Sequence, residues 1–125
     1  MAKSIRANIL GADRVLCYTL RAQRTIAEKY GSMQGLMDSM SSGNELEIVD
    51  AIAYALWALL DAGERHAKLE GAACPPAPTL DDLLDGLDLR DTTEAERTIM
   101  AAMGAGSAQG VAAESPKNAE ATPGE

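Results

Sequence analysis

Phenylalanine is absent from the sequence, and aromatic residues make up only 3% of its 125 residues. A hydrophobic core must therefore be built from Leu, Ile, Met and Ala, while the β-branched residues that favour strands are sparse. Because Ala, Leu and Met have high helix propensity, the composition predicts an all-α or mostly α-helical protein.

Histidine and cysteine are also scarce, with one histidine and two cysteines in the chain. Two cysteines do not form a disulfide framework, and His66 has no neighbours at the spacing of a zinc site. His66 follows Arg65 near a charged helix end, and we expect it to be exposed. The sequence has no Gly-rich phosphate loop and no Ser or Cys nucleophile beside a base. It therefore predicts no catalytic residue, no metal site and no cofactor, and we expect a protein that is not an enzyme.

Basic residues are outnumbered, and the formal net charge is −8. The charge is uneven, because residues 1–30 carry a net +4, residues 31–77 a net −5 and residues 78–125 a net −7. Nonspecific nucleic-acid binding depends on neutralising phosphates, so an acidic chain predicts no nucleic-acid partner. The basic first segment is available either to an acidic partner or to the acidic remainder of the same chain.

Long hydrophobic runs are missing as well. The longest, Ala51–Leu60, has ten residues, whereas a membrane span needs roughly 20, so we expect no membrane insertion. The run is nevertheless apolar on every side, and such a helix is normally buried all round. Flanking segments, a second copy of the chain or a partner must cover it. No apolar signal-peptide region follows Met1, and we expect a cytoplasmic protein with reduced thiols.

Apolar periodicity and turn residues divide the chain into about five helices. Asp13 is the expected N-cap of the first, and Asn44 with Glu47 forms a capping-box pattern before the long central helix. Thr93 with Glu96 repeats that pattern before the last helix. The predicted helices are Arg14–Tyr30, Ser32–Met40, Asn44–Gly71, a helix from Thr79 to Leu87, and a helix that begins near Thr93. The Pro-rich break Ala72–Pro78 separates the third helix from the fourth.

The two ends of the chain differ from this helical pattern. Residues Ser4–Leu10 alternate apolar and polar side chains, which predicts a short N-terminal strand. No second strand is evident nearby, so this strand either pairs with another subunit or forms an extended arm. From about Gly104 the sequence is rich in Gly, Ala, Ser and Pro. The sequence therefore predicts a helical domain over residues 1–104 and a disordered low-complexity tail over residues 105–125.

The candidate partner-binding residues come from the second and third helices. In the second, apolar residues recur at positions i, i+3, i+4 and i+7, which indicates either core packing or an adaptable, Met-lined surface for helical partners. In the third, Ile52 and Leu56 belong to one apolar stripe, alanines form a second stripe of small residues, and Trp57 lies in a third direction. The hypothesis is a binding surface for an amphipathic helix made by Met33, Leu36, Met37, Ile52, Leu56 and Trp57.

The chain resembles the tail assembly chaperones of long-tailed bacteriophages and their prophage and gene-transfer-agent relatives over roughly residues 4–105. The resemblance rests on a first helix that ends Ile26–Ser32, with a short Leu/Met helix behind it. It continues in an apolar helix that ends Leu59–Arg65, a Pro-broken loop and the segment Thr79–Leu84. A last helix and a low-complexity tail complete the similarity.

This resemblance implies a non-enzymatic chaperone in the cytoplasm of the bacterial host cell. Such proteins bind and solubilise the long helical tape measure protein and recruit tail tube subunits during tail assembly. A homo-oligomer is a further candidate state, because a second copy of the chain is one of the possible covers for Ala51–Leu60. The alternative from a different functional class is a small helical dimerising adaptor or regulator without enzymatic activity.

Overall fold

The computed structural model describes residues 3–111, and the side chains of residues 3–106. This part of the chain is mostly helical, as predicted, and also contains a two-stranded antiparallel sheet. Its elements in chain order are β1 (Ser4–Ile9), β2 (Ala12–Cys17), α1 (Leu20–Tyr30), α2 (Met33–Met40), α3 (Glu45–Leu69), α4 (Leu80–Gly86), a 3₁₀ turn (Leu89–Asp91) and α5 (Thr92–Val111).

The N-terminal strand pairs within its own chain. β1 and β2 form a hairpin in which Ile9 lies opposite Ala12. Leu10 and Gly11 connect them with φ angles of 54° and 80°, and positive φ at both residues is the geometry of a two-residue hairpin turn. Leu10 is an unusual residue there, but its side chain packs against Gly86 of α4. The prediction that the strand had no partner in its own chain was wrong.

The first helix accordingly begins later than predicted. Residues Arg14–Cys17 belong to β2, and α1 begins at Leu20 with Thr19 as its N-cap. The Thr19 hydroxyl accepts a hydrogen bond from the backbone N–H of Ala22 at 3.3 Å. Asp13, the predicted N-cap, instead forms an exposed ion pair with Arg6. A short apolar run such as Val15–Cys17 fits a buried strand or a helix equally well, and the hairpin turn decides the outcome.

α3 is the element on which the other elements pack. Asn44 caps it as predicted, accepting from the backbone N–H of Glu47 at 3.1 Å. The capping box is incomplete, because the Glu47 carboxylate accepts from the Ser42 hydroxyl rather than from the Asn44 backbone. Eight of the ten residues in Ala51–Leu60 are buried. Most of the apolar run is therefore covered by β2, α1, α2, α4 and α5 of the same chain.

The C-terminal helices begin with different caps. Thr79 caps α4 as predicted, in a reciprocal capping box with Asp82. The second predicted box, at Thr93 and Glu96, is replaced by Asp88 and Asp91 around the 3₁₀ turn, from which α5 continues directly. α5 runs past Gly104 to Val111. The disordered tail predicted over residues 105–125 lies mostly outside the described residues and stays a prediction.

Candidate helix-binding groove

An apolar groove of about 240 Å³ opens between the N-terminal half of α3 and the segment formed by α4, the 3₁₀ turn and the start of α5. α3 supplies one wall, and the leucines of α4 and the turn supply the other. The residues whose apolar side chains line this groove are Val49, Ile52, Ala53, Leu83, Leu84, Leu87, Leu89 and Ala95.

The two ends of one α3 face differ in burial. Leu46, Ala53 and Leu60 are spaced seven residues apart and share this face. Near its C-terminal end, β2 packs closely on α3 at Gly63, and the segment 72–79 lies beside the helix, held by a 2.8 Å hydrogen bond from the Ala77 backbone N–H to the Glu64 carboxylate. Leu60 is accordingly only 1% exposed, whereas Leu46 is 69% exposed. The same face is covered at one end and open at the other.

Exposed apolar side chains surround the opening. Leu84 is 44% exposed and Leu89 is 65% exposed, and Leu83 is the one fully buried residue of α4. On α3, Val49 and Ala53 line the groove. Leu46 and Trp57 extend the same helix face beyond it at either end, which gives a stripe with i, i+3, i+7, i+11 spacing. Contiguous apolar surface of this kind on a small protein marks an interaction site more often than isolated exposed residues do.

The aromatic residues hold one end of this stripe in place. The rings of Tyr54 and Trp57 lie 5.4 Å apart, and those of Tyr30 and Tyr54 lie 5.8 Å apart in an edge-to-face arrangement. The Lys29 ammonium lies 4.6 Å from the centre of the Tyr54 ring, close enough for a cation–π interaction. Burial raises the pKa of Tyr30 and Tyr54. Trp57 is therefore a half-buried, fixed side chain rather than a freely rotating one.

Acidic side chains form the rim of the groove. Residues 78–96 contain seven Asp or Glu and one basic residue, Arg90, and Asp88 and Asp91 line the groove itself. Hydrogen bonds from Arg90 hold the pKa of Asp88 below its usual range, which keeps this carboxylate ionised. Arg90 is itself paired with Asp88 at 2.9 Å. The rim consequently presents negative charge around an apolar floor.

The structure separates the six predicted partner-binding residues by burial. Leu36 and Leu56 are 0% and 1% exposed and belong to the core, where they are unavailable to a partner. Ile52 is buried at the floor of the groove. The remaining three are exposed or half-buried, namely Met33 and Met37 on α2 and Trp57 on α3. Whether any of them binds a partner stays a prediction.

The leucines of the groove show what apolar spacing leaves undecided. Leu80, Leu83, Leu84 and Leu87 lie at i, i+3, i+4 and i+7, which predicts that all four pack inward. Only Leu83 is fully buried. The spacing identifies the apolar face of α4 correctly, but it does not show how much of that face the rest of the chain covers.

The prediction that His66 is exposed was wrong. This side chain is 5% exposed. Its Nε2 atom has no hydrogen-bond partner among the described residues and lies 3.5 Å from a Glu70 carboxylate oxygen. Arg65 and Lys68 lie on other faces of α3, where they pair with Asp61 and Glu64. The charged neighbours in the sequence therefore described the outer face of the helix, not the face that carries His66.

Cys17 is fully buried. Burial raises the pKa of its thiol, with a smaller contribution from the negative charge of Glu70, and the thiol therefore stays protonated.

Among residues 3–111 no group of three His, Cys, Asp or Glu side chains could hold a metal ion. In the same part of the chain, no helix is both long and apolar enough to cross a membrane. The groove is the feature of this surface with the clearest chemical character.

Comparisons with protein-family models, with curated proteins and with solved structures find no match to this chain. Three features of the protein bear on its function. They are the groove, the distribution of charge, and the resemblance of the sequence to phage tail assembly chaperones.

Proposed function

We propose that this protein is a phage tail assembly chaperone that binds and solubilises the tape measure protein and helps to recruit tail tube subunits. The observation that supports this proposal is the open apolar groove beside a core that the chain itself largely covers. Because Ala51–Leu60 is largely buried within the chain, the remaining exposed leucines are not needed to complete the fold. They are available to a partner.

The dimensions and lining of the groove favour a helix over a small molecule. Small-molecule sites usually have volumes of roughly 300–1,000 Å³ and contain a few convergent polar groups. This groove holds about 240 Å³ and is lined mainly by Leu, Val, Ile and Ala. Such a surface accepts the apolar side chains of an amphipathic helix, and a non-enzymatic role in the cytoplasm is consistent with it.

The charge of the chain supports the solubilising part of the role. A helical tape measure protein with apolar stripes aggregates when those stripes meet each other. Several copies of a chain with net charge −8, each covering one stripe, would give the complex a strongly negative exterior. Net charge far from zero keeps an assembly soluble.

Co-expression tests the proposal directly. The protein is produced together with the long helical protein encoded beside it, and the soluble fraction is analysed by size exclusion with light scattering. We expect a soluble complex with several copies of this chain, and insoluble partner when this chain is omitted. A partner that remains insoluble in both cases would overturn the chaperone proposal.

The second candidate is a small dimerising adaptor or regulator. The observation that favours it is the cluster of exposed leucines at Leu46, Leu84 and Leu89, which a second copy of the chain would also cover. Light scattering of the protein alone distinguishes the two. A discrete homodimer that does not bind the helical partner supports the adaptor role.

A further inference from the structure

We infer that the groove is the docking site of a basic amphipathic helix from another protein. Its apolar face would pack on the groove floor, and its Lys or Arg residues would lie against the acidic rim at Asp88 and Asp91. This inference rests on the proposed function, because it specifies the chemistry of the tape measure segment that the chaperone would hold. It also specifies where the partner helix binds and which charge that helix carries. Both points can be tested separately from the chaperone role.

The length of the apolar stripe on α3 indicates how long the bound partner helix is. Leu46 to Trp57 spans eleven residue steps of α3, or about 17 Å at 1.5 Å per residue. The opposite wall is formed by Leu84 and Leu89, the two exposed leucines of that segment. A partner helix lying between the walls would contribute about three turns, with apolar residues at i, i+3 or i+4, i+7 and i+11.

The rim sets the charge of the occupant. The carboxylates that line the groove are Asp88 and Asp91. They lie in a segment, residues 78–96, with seven acidic residues and one basic residue, and that base is already paired with Asp88. An acidic helix would bring like charges together, which disfavours docking. Lys and Arg fit best because their aliphatic stems cover apolar surface while their charged ends reach the carboxylates.

A second copy of this chain fits the groove poorly. Two grooves facing each other would place acidic rims against each other, and the basic N-terminal segment is largely engaged within its own fold. Arg14 donates to the carbonyls of Ile9 and Pro76 at 2.7 and 2.6 Å, Arg24 pairs with Glu28, and Lys29 lies over Tyr54. The charge pattern therefore points to a partner other than the chain itself.

The first arm of the test compares two synthetic 18-residue peptides that lack Trp and share one Leu stripe. One peptide carries Lys on both sides of the stripe, and the other carries Glu. Because Trp57 is the only Trp and ends the α3 stripe, its fluorescence reports binding to the full-length protein. We expect the Lys peptide to bind at least roughly tenfold more tightly than the Glu peptide at low salt, with the difference shrinking as salt screens the rim.

The second arm uses matched double variants of the full chain. Leu84→Asp with Leu89→Asp places charge on the groove wall, whereas Leu20→Asp with Leu69→Asp changes two leucines that are 84% and 81% exposed elsewhere. Circular dichroism establishes that both variants are folded. We expect the groove variant to lose peptide binding and the control variant to keep it. A third variant, Asp88→Asn with Asp91→Asn, retains the capping acceptors and should weaken only the Lys peptide.

Several results would overturn the inference. They are equal binding of both peptides, undiminished binding to the folded groove variant, and a homodimer that the groove variant alone abolishes. If the wild-type chain solubilises the tape measure protein but fails these tests, the chaperone role stands and its contact surface lies elsewhere. If the Lys peptide binds the groove while no tape measure protein is solubilised, the docking site stands and the proposed function fails.

Discussion

Gly63 is the residue at which β2 and α3 come into direct backbone contact. A Cβ atom at this position would lie 2.0 Å from the carbonyl oxygen of Val15, so only glycine allows the strand to cross the helix here. This contact explains how the hairpin can pack closely on the C-terminal half of α3.

The Gly63→Ala substitution should therefore destabilise the protein by about 2–3 kcal/mol, because the strand must move away from the helix. Gly104 provides the matched control, since it lies exposed in α5 with open space around it. Gly104→Ala should stabilise the protein by up to about 1 kcal/mol through helix propensity. Urea unfolding of both variants measures the difference. Similar stabilities for the two would refute the close contact.

Glu64 gives the stability a defined pH dependence. The Ala77 backbone N–H and the Lys68 ammonium lower the pKa of Glu64 below its usual value of 4.5. Because the folded-state pKa is lower than the unfolded one, the unfolded state binds more protons on acidification. The stabilisation is thus present above about pH 4.5 and is lost as the pH falls through the folded-state pKa.

Glu64→Gln should reduce stability by about 1 kcal/mol at pH 7, since the amide keeps an acceptor for Ala77 but loses the charge. The difference from the wild type should shrink as the pH falls below about 4.5 and should disappear below the folded-state pKa of Glu64. Thermal unfolding at several pH values measures it. A difference that remains constant from pH 7 to pH 3 would show that the Glu64 charge does not stabilise segment 72–79.

At the scale of elements, the helices were easier to predict than the hairpin. α2, α3 and α4 were predicted because apolar spacing, capping residues and Gly or Pro boundaries all agree over those stretches. β2 was missed because its apolar run has no clear period and because Leu10, at positive φ, is not a turn residue that sequence patterns identify. The pairing depends on tertiary contacts, including those of Leu10 with Gly86.

The start of α1 provides a test at this scale. Thr19→Ala should destabilise the protein by about 1 kcal/mol because it removes the side chain that caps the helix, and Thr19→Ser should retain most of the stability. Asp13→Ala should cost less than about 0.5 kcal/mol, since it removes only an exposed ion pair with Arg6. Chemical unfolding measures all three. A larger effect at Asp13 than at Thr19 would place the N-cap where the sequence first suggested it.

At the scale of the whole molecule, the groove joins segments that are more than thirty residues apart in sequence. Val49 and Ala53 meet Leu84 and Leu89 only because the Pro-rich break turns the chain back along α3. The sequence indicated the apolar residues and the acidic C-terminal half, but not which of the leucines remain outside. Burial of Leu36 and Leu56 shows the same limit, since periodicity identifies a face and not what covers it.

We propose that this groove is the surface through which the protein holds a helical partner in solution. Co-expression of the proposed tape measure partner with the wild-type chain or with either double variant tests this, with the yield of soluble partner as the readout. We predict full yield with the wild type and with Leu20→Asp/Leu69→Asp, and loss of soluble partner with Leu84→Asp/Leu89→Asp. Equal yield with all three folded chains would show that the groove does not hold the partner.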